Sequence, residues 1–530
     1  MTNSRRPWFL IVVGALGLWF APWPRAAGQH TPKNDRLVNA CLRSESLKNS
    51  QEVARAGQPE ARPDLVIVEA PSVRPGPVSR LFPRGSRLVR LASSDHTSKC
   101  LTPEFFAASG PRTSFDGTSV LFAGKKTAES FWQIWEMRAD GSSARQITHC
   151  SGDCLKPAYL PRGEIVFTAL SVRAGGNASS SSAAKGEVHP AADLVTDTAT
   201  VSQLWVSKID GSEAHPITFG PGDFQVEATL NNGMVLATAR FPLLPSSGVA
   251  ADRELYTVRS DGTGLGTLRC DHQHPGIRSQ AEELDDGSVV FVKSSLDDRG
   301  VGGDLVWIRR GALHSAPLTI PPLRVASPQP ISADELLVAR ETPTSSRTGT
   351  KLTLYAFDTA TGKFLRSFDA DPDLSAVEAV PVAAHEPPRW YWSTLDSALQ
   401  KGYFVCLDSY RADGVLHGRI AAKLTRVRVL RLEAGTQREL NLGEAPVEED
   451  GSFYIAVPPD EPVRFELLDG AGRVVRAQQS WIWSRSGEEH GCVGCHEDRA
   501  LAPENRWPAA LRRFDTPTLL GVADHPVSAH

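Results

Sequence analysis

Short apolar runs, each entered through a tight polar turn, recur along the middle of this chain. The stretches "SFDGTSVLFAGKK", "YLPRGEIVFTALS", "TLNNGMVLATARF", "ELDDGSVVFVKSS" and, more weakly, "PISADELLVARET" each set a turn with Gly or Asp before a β-rich run. A second series lies between them: "QIWEMRADGSSARQIT", "QLWVSKIDGSEAHPIT" and "ELYTVRSDGTGLGTLR". Asp-Gly between alternating apolar residues predicts a hairpin. The turn glycines Gly117, Gly163, Gly233 and Gly287 stand 46, 70 and 54 residues apart. Known propeller repeats run at roughly 40–50 residues. The long gap holds "VRAGGNASSSSAAKGEVHPAAD", a Ser/Ala/Gly-rich stretch read as a flexible insert over 172–200. The pattern predicts a mainly β protein whose first large domain, 64–395, is a six-bladed β-propeller, seven blades being the alternative. "PDLVIVEA" and "SRLVRLAS" are expected to close the ring together with "PRWYWSTL", leaving no open sheet edge.

After about residue 395 the alternation continues without the repeat. "YFVCLDSYRADG", "LTRVRVLRLEAG" and "GSFYIAVPPDEPVRFELLDGAGRVVRAQQSWIW" predict a β-sandwich over 396–485. Trp481 and Trp483 are two apart, so they share one face of a strand. The last segment, 486–530, contains several prolines and reads as irregular, with at most one short helix at "WPAALRRF".

The N-terminus sets the compartment. Arg5 and Arg6, an apolar run from Trp8 to Phe20 and then Ala26-Ala27-Gly28 have the order of a signal peptide, 1–28, followed by an arm over 29–63. The expected location is periplasmic or secreted, with no membrane span after cleavage. Export permits disulfides. Eight cysteines in 530 residues are too few for a disulfide scaffold, so the fold rests on a core. A net charge of −4 and the lack of a basic run argue against nucleic acid.

One motif carries chemistry: Cys492-Val493-Gly494-Cys495-His496. CxxCH is the attachment pattern of a c-type haem. Two thiols at this spacing match the two vinyl groups of the porphyrin, and the adjacent His lies under the iron as proximal ligand. The rivals are a disulfide or redox pair and a metal site. Zinc needs a second ligand pair, and no second CxxC exists. A thioredoxin-like pair belongs in an α/β context. The expectation is one covalent haem c on Cys492, Cys495 and His496. Candidates for the sixth iron ligand are His490, His525 and His530. Cys150 and Cys154, in "HCSGDCLKP", are expected to form a disulfide. "RCDHQHPG", with Cys270, His272 and His274, reads as a polar loop, with a metal site as its rival. No Ser-His-Asp signature, Gly-rich phosphate loop or HExxH helix is present, so the catalytic residues stay unassigned.

The propeller repeats resemble the TolB-type, WD40-like repeats of exported bacterial proteins. More specifically, "TPEFFAASGPRTSFDGTSVLFAGKK", "IWEMRADGSSARQIT" and above all "VEEDGSFYIAVPPDEPVRFELLDGAGRVVRAQQSWIWSRSGEEHGCVGCHEDRALAPENR" resemble exported proteins related to the α subunit of hydrazine synthase. The resemblance covers roughly 95–510. It implies a propeller coupled to a haem-bearing segment, with Cys492 and Cys495 as thioether anchors and His496 as the motif histidine. Two departures separate this chain from the synthase. That subunit carries two haems, and here there is one CxxCH. One of its haems is ligated by a Tyr just after the motif. That position here is Ala500, and no Tyr follows His496. Both departures argue against hydrazine synthesis and leave His496 as the ordinary iron ligand.

The expected function is periplasmic electron transfer, or small-molecule redox chemistry at haem iron, with a redox protein or a small molecule as partner. The alternatives are a propeller binding module with a structural haem, and a haem-free disulfide protein of the envelope.

Overall fold

The computed structural model describes residues 62–71, 73, 82–95, 97–172, 200–241, 253–268, 276–296, 301–309, 316–318, 324–342, 351–368, 371, 373–412, 418–433, 438–478, 480–494 and 507–521. They fall in one compact unit, apart from the boundary residue Arg62. The expected leader, the arm and nearly all of the 172–200 insert lie outside them.

The described chain is almost entirely β, as the alternation predicts. Among the described residues, six four-stranded antiparallel sheets come first. Their innermost strands are, sheet by sheet, Ser375–Val382, Ala107–Thr113, Cys154–Leu160, Asp223–Thr229, Ile277–Glu283 and Val325–Ser332. Each touches the next, and the last touches the first, so the six make a ring. The first sheet joins the two ends of this region. Asp64–Ala70 pairs with Ser375–Val382, with Ile67 opposite Ala379. That partner is not the one expected, because "PRWYWSTL" forms no strand. Pro387 and Pro388 lack the N–H that a ladder needs. Residues 383–400 instead run as a strap over the turns of the second and fourth sheets. His385 N–H donates to the Phe115 carbonyl, and Arg389 N–H to that of Asn231. The strap explains two of the repeat glycines. Gly117 and Gly233 have φ of +72° and +82°, and a Cβ there would lie 2.6 Å from Ala383 C and 2.3 Å from Arg389 O. On the third sheet, Arg162 stacks on Trp390 and Trp392.

The core sits between neighbouring sheets, and the side-chain period of two explains how. Ile165 and Phe167 pack with Phe122 and Ile134 of the second sheet, whereas Val166 packs with Phe224 and Val235 of the fourth. Phe291 packs with Leu236, whereas Val290 packs with Leu336. Leu337 and Leu354 of the sixth sheet meet Leu65 and Ile67 of the first. A middle strand is therefore apolar on both faces, and "EIVFTAL" and "VVFV" read as continuous apolar runs for that reason.

Two further four-stranded sheets form the second half. One has the strand order Glu489–Cys492, Gly402–Cys406, Phe453–Val457, Thr518–Leu519. The other runs Glu439–Pro446, Leu424–Leu432, Val463–Asp469, Val474–Ala477. Their facing residues share one cluster, in which the Phe465 ring meets Phe404 at 5.1 Å and Phe453 at 5.8 Å. The tail expected to be irregular supplies both edge strands of the first sheet, each in parallel pairing. Such strands have no local hairpin partner, so no turn signal marks them. The short helix expected at "WPAALRRF" is one 3₁₀ turn, Ala509–Arg512. No described helix is long and apolar enough to cross a membrane.

Trp481 and Trp483 are both buried. The Trp483 indole belongs to the core between the third and fourth sheets, 5.7 Å from both Phe219 and Phe224, and its N–H donates to Gly262 O at 3.1 Å. Its neighbour Ile482 is bonded through its backbone to Val463 of the sandwich. Trp483 thus pins the sandwich to the ring. Truncating a buried Trp costs about 3–5 kcal/mol. Trp483→Ala is expected to lower the unfolding free energy, read from denaturant titration, by that order, whereas Trp392→Ala, at a ring 75 % exposed, stays within about 0.5 kcal/mol. Equal losses in the two variants would contradict this pinning role.

Candidate functional site

The CxxCH motif begins on the edge strand Glu489–Cys492. This strand runs parallel to Gly402–Cys406, with Phe404 opposite His490 and Cys406 opposite Cys492. Leu407 N–H donates to Cys492 O, and Tyr403 N–H to Glu488 O, both at 2.9 Å. The approach to the strand is fixed by Glu488. Its carboxylate accepts from Gly264 N–H at 2.7 Å and Arg485 N–H at 2.8 Å, tying the strand to the fourth sheet of the ring. The Arg485 guanidinium donates to Asp261 O and pairs with Asp460 at 2.6 Å.

Alternation places His490 and Cys492 on the inward face. His490 is buried, its ring 5.2 Å from Phe404 and its Nδ1 3.6 Å from Glu488 Oε1. Cys492 is half-buried at the margin of the sandwich core. Among the described residues the strand has no neighbour on its outer side, and a Cβ built at Gly491 meets nothing within 4 Å. A half-buried thiol beside an open edge fits a thioether link to a bulky group. Gly494 passes close over Arg411, where a Cβ would lie 2.9 Å from the carbonyl. Cys495, His496, His525 and His530 lie outside the described residues, as do Cys270, His272 and His274.

Cys150 and Cys154 are joined in a disulfide. Their loop is clamped by Gln133, which accepts from Cys150 N–H, and by Asp153, which accepts from Trp132 N–H. Among the described residues no three His, Cys, Asp or Glu side chains stand together as a metal site.

A second polar cluster, not found from the sequence, lies among the innermost strands. Each of these strands is bulged, and the looped-out residues include Gly110, Lys156, Glu227, Gln280 and Ser327. Lys156, Gln280 and Ser327 have φ of 49°, 54° and 51°, in the left-handed region. A bulge re-aims side chains that an even alternation would bury in the core. Lys156 reaches Glu227 at 2.9 Å. Arg112 of the second sheet crosses to the Glu227 carbonyl at 2.7 Å, to Glu282 at 2.6 Å and to Gln329 at 3.2 Å, on the fourth, fifth and sixth sheets. Glu378 of the first sheet accepts from Gly110 N–H at 2.8 Å. Three carboxylates thus face two cations. Burial pushes the Glu282 carboxyl up to about 7, against the pull of Arg112, and the nearby Glu227 adds to the rise. Burial raises Glu378 as well. The cluster can hold protons near neutral pH. One signal for it was present: Gly110-Pro111, Lys156-Pro157 and Ser327-Pro328 repeat an X-Pro step at equivalent bulges.

Comparison with known proteins gives a consistent direction. Residues 425–497 match the family model of the hydrazine synthase alpha subunit middle domain, a stretch that includes the motif. Hydrazine synthase subunit alpha of Kuenenia stuttgartiensis is 24% identical over an alignment of 532 residues, taking in 78% of this chain. The chain spans only 63% of that relative's length. The solved hydrazine synthase of Kuenenia stuttgartiensis shares the fold, with a TM-score of 0.71 over 85% of this chain and 71% of that chain, at 18% identity. TolB from Acinetobacter baumannii superposes with a TM-score of 0.41 over 63% of this chain and 71% of that chain, at 12% identity.

The axial cluster makes stability depend on pH with a definite sign. The folded Glu282 carboxyl holds its proton more tightly than the value of 4.5 for an unperturbed Glu. Its contribution is therefore complete below about 4.5 and is lost as pH rises through about 7. Urea unfolding at pH 4.5, 6 and 8 is expected to show wild type losing stability relative to Glu282→Gln across this window. Parallel curves, or a loss confined to the variant, would contradict the assignment.

Proposed function

We propose that this chain, which resembles the hydrazine synthase alpha subunit, is an exported monohaem protein of the c-type. In this reading the ring is a six-bladed propeller. Six four-stranded sheets support six blades over seven. Cys492 and Cys495 tether the haem, and His496 is the proximal ligand. The observation that carries the reading is the CxxCH motif at the end of an open edge strand, inside the stretch that matches the family model.

A bound haem supplies reversible one-electron chemistry at iron and, where an axial position is open, a place for a small ligand. The protein's own contribution is to hold the tether. Glu488 and Arg485 tie the motif strand to the ring, and the pairing with Gly402–Cys406 fixes where Cys492 lies. His490 is buried against Phe404, and His525 and His530 stand beside it as candidates for a sixth ligand. The role we assign is electron transfer with a redox partner, or redox chemistry on a small molecule, in the periplasm or outside the cell. The departure at Ala500, where the resemblance leads one to expect a Tyr ligand, favours this role over hydrazine synthesis itself. The solvent-open rings of Tyr391 and Trp392 favour a second reading, a binding surface on the propeller with haem as a structural element.

Expressed with its leader in a host that attaches c-type haem, the mature protein is expected to keep a haem stain through denaturing electrophoresis. It should also give a pyridine haemochrome of the c-type. Cys492→Ser combined with Cys495→Ser abolishes the stain. His496→Gln retains it and changes the visible spectrum. A wild-type protein free of covalent haem would sink the reading.

A further inference from the structure

Residues 389–393 of the strap hold aromatic rings out to solvent in a fixed place. Trp392 is 75 % exposed and Tyr391 49 %. Both ends of this stretch are bonded to turns of the fourth sheet. Arg389 N–H donates to Asn231 O at 3.0 Å, and the Ser393 hydroxyl donates to the Asp261 carboxylate at 2.7 Å. Tyr391 backs onto Gly233, where a Cβ would lie 3.2 Å from its ring. Three guanidiniums flank the rings. Arg162 stands 4.2 Å from the Trp390 centroid and 4.9 Å from that of Trp392, Arg259 stands 5.9 Å from Tyr391, and Arg389 is exposed in the strap itself. Among the described residues none of the three has a carboxylate partner, whereas Arg428, Arg464 and Arg485 each have one. The Asp261 carboxylate is taken up by Ser393 and Thr263. Glu386 and Asp396, the carboxylates of the strap, lie outside 389–393. The strap also leads to the motif strand, because Asp396 N–H donates to Ser486 O and the Ser486 hydroxyl donates back to Asp396 O.

Trp, Tyr and Arg are the residues that carry most of the binding energy at protein interfaces. Aromatic rings held in place lose little entropy when a partner lands on them. A guanidinium offers a planar fork of donors that matches a carboxylate. We propose that residues 389–393, with Arg162 and Arg259, are the docking surface for a partner protein with an acidic face, whose carboxylates meet the three guanidiniums and whose apolar side chains meet Tyr391 and Trp392. The proposal supplies the partner that the redox reading leaves open. It rests on that reading only for the electron the partner exchanges, and not for the contact.

The test uses the full mature chain and two probes, plastocyanin with its acidic face and mitochondrial cytochrome c with its basic one. The net charge of −4 by itself favours the basic probe, so the sign of the preference is diagnostic. Wild type is expected to bind plastocyanin about tenfold more tightly than cytochrome c at low salt, and to lose that preference at high salt. Arg162→Glu combined with Arg259→Glu reverses the preference. Trp392→Ala weakens plastocyanin binding and leaves its salt dependence unchanged. Arg426→Glu combined with Arg473→Glu makes the same charge change on the sandwich and leaves the preference in place. A wild type that prefers cytochrome c, or two double variants that behave alike, would overturn the proposal. So would heparin binding more tightly than plastocyanin through Arg162 and Arg259, which would assign the surface to an anionic polysaccharide. These arms need no haem. In haem-loaded protein one electron passes from ferrous haem to cupric plastocyanin, leaving ferric haem and cuprous copper. That rate is expected to fall about tenfold in the Arg162, Arg259 variant, and equal rates count against the proposal. A wild type without haem sinks the redox reading and leaves the binding arms to decide the docking surface.

Discussion

The segment from Trp481 to Cys492 is the constraint on which the rest of the structure depends. Its indole, Trp483, is part of the ring's core, and its end, Cys492, is an edge of the sandwich. Between them Ser484, Arg485 and Glu488 carry a dense set of bonds. The Ser484 hydroxyl donates to Glu488 O at 3.0 Å, and Glu488 accepts from both Gly264 and Arg485. A strand of Glu-His-Gly-Cys has little β-propensity of its own. It is a strand because these tertiary contacts deliver it to the edge of Gly402–Cys406. The start of the CxxCH motif is therefore placed by the whole molecule and not by local sequence.

The ring follows a different logic. Each of its sheets is too small to be stable alone, and each gains its core only from the next. Pairing of Asp64–Ala70 with Ser375–Val382 builds the first sheet from both ends of the region and so closes the ring. The cost of drawing six strands close together is met at the axis. Bulges turn Lys156, Glu227 and Gln280 out of the apolar alternation, and Arg112 bridges three sheets at once. The axis is consequently polar and charged, with a carboxyl at Glu282 that holds its proton to about 7.

Much of this was legible in the sequence. Gly117, Gly163, Gly233 and Gly287 mark turns whose positive φ only glycine adopts freely. The Asp-Gly steps marked the outer hairpins. What escaped had non-local causes. The aromatic run Trp390-Tyr391-Trp392 has strand composition, yet it lies as a strap because the ring had already been closed by another strand. The axial charges are exposed by bulges, which shift register in a way that simple alternation does not show, and the repeated X-Pro step is their local trace. His490, a candidate iron ligand by its place in the sequence, lies on the strand's inward face against Phe404. The reading of Cys495 and His496 rests on the motif and on the family likeness.

That reading makes one claim about covalent structure, and intact-mass spectrometry of the exported protein under denaturing conditions tests it most directly. The account predicts the mass of the leader-free chain, with the Cys150–Cys154 bond, plus one haem that tryptic mapping places on residues 486–499. A mass equal to that of the bare chain, after expression alongside functional haem-attachment machinery, would contradict it.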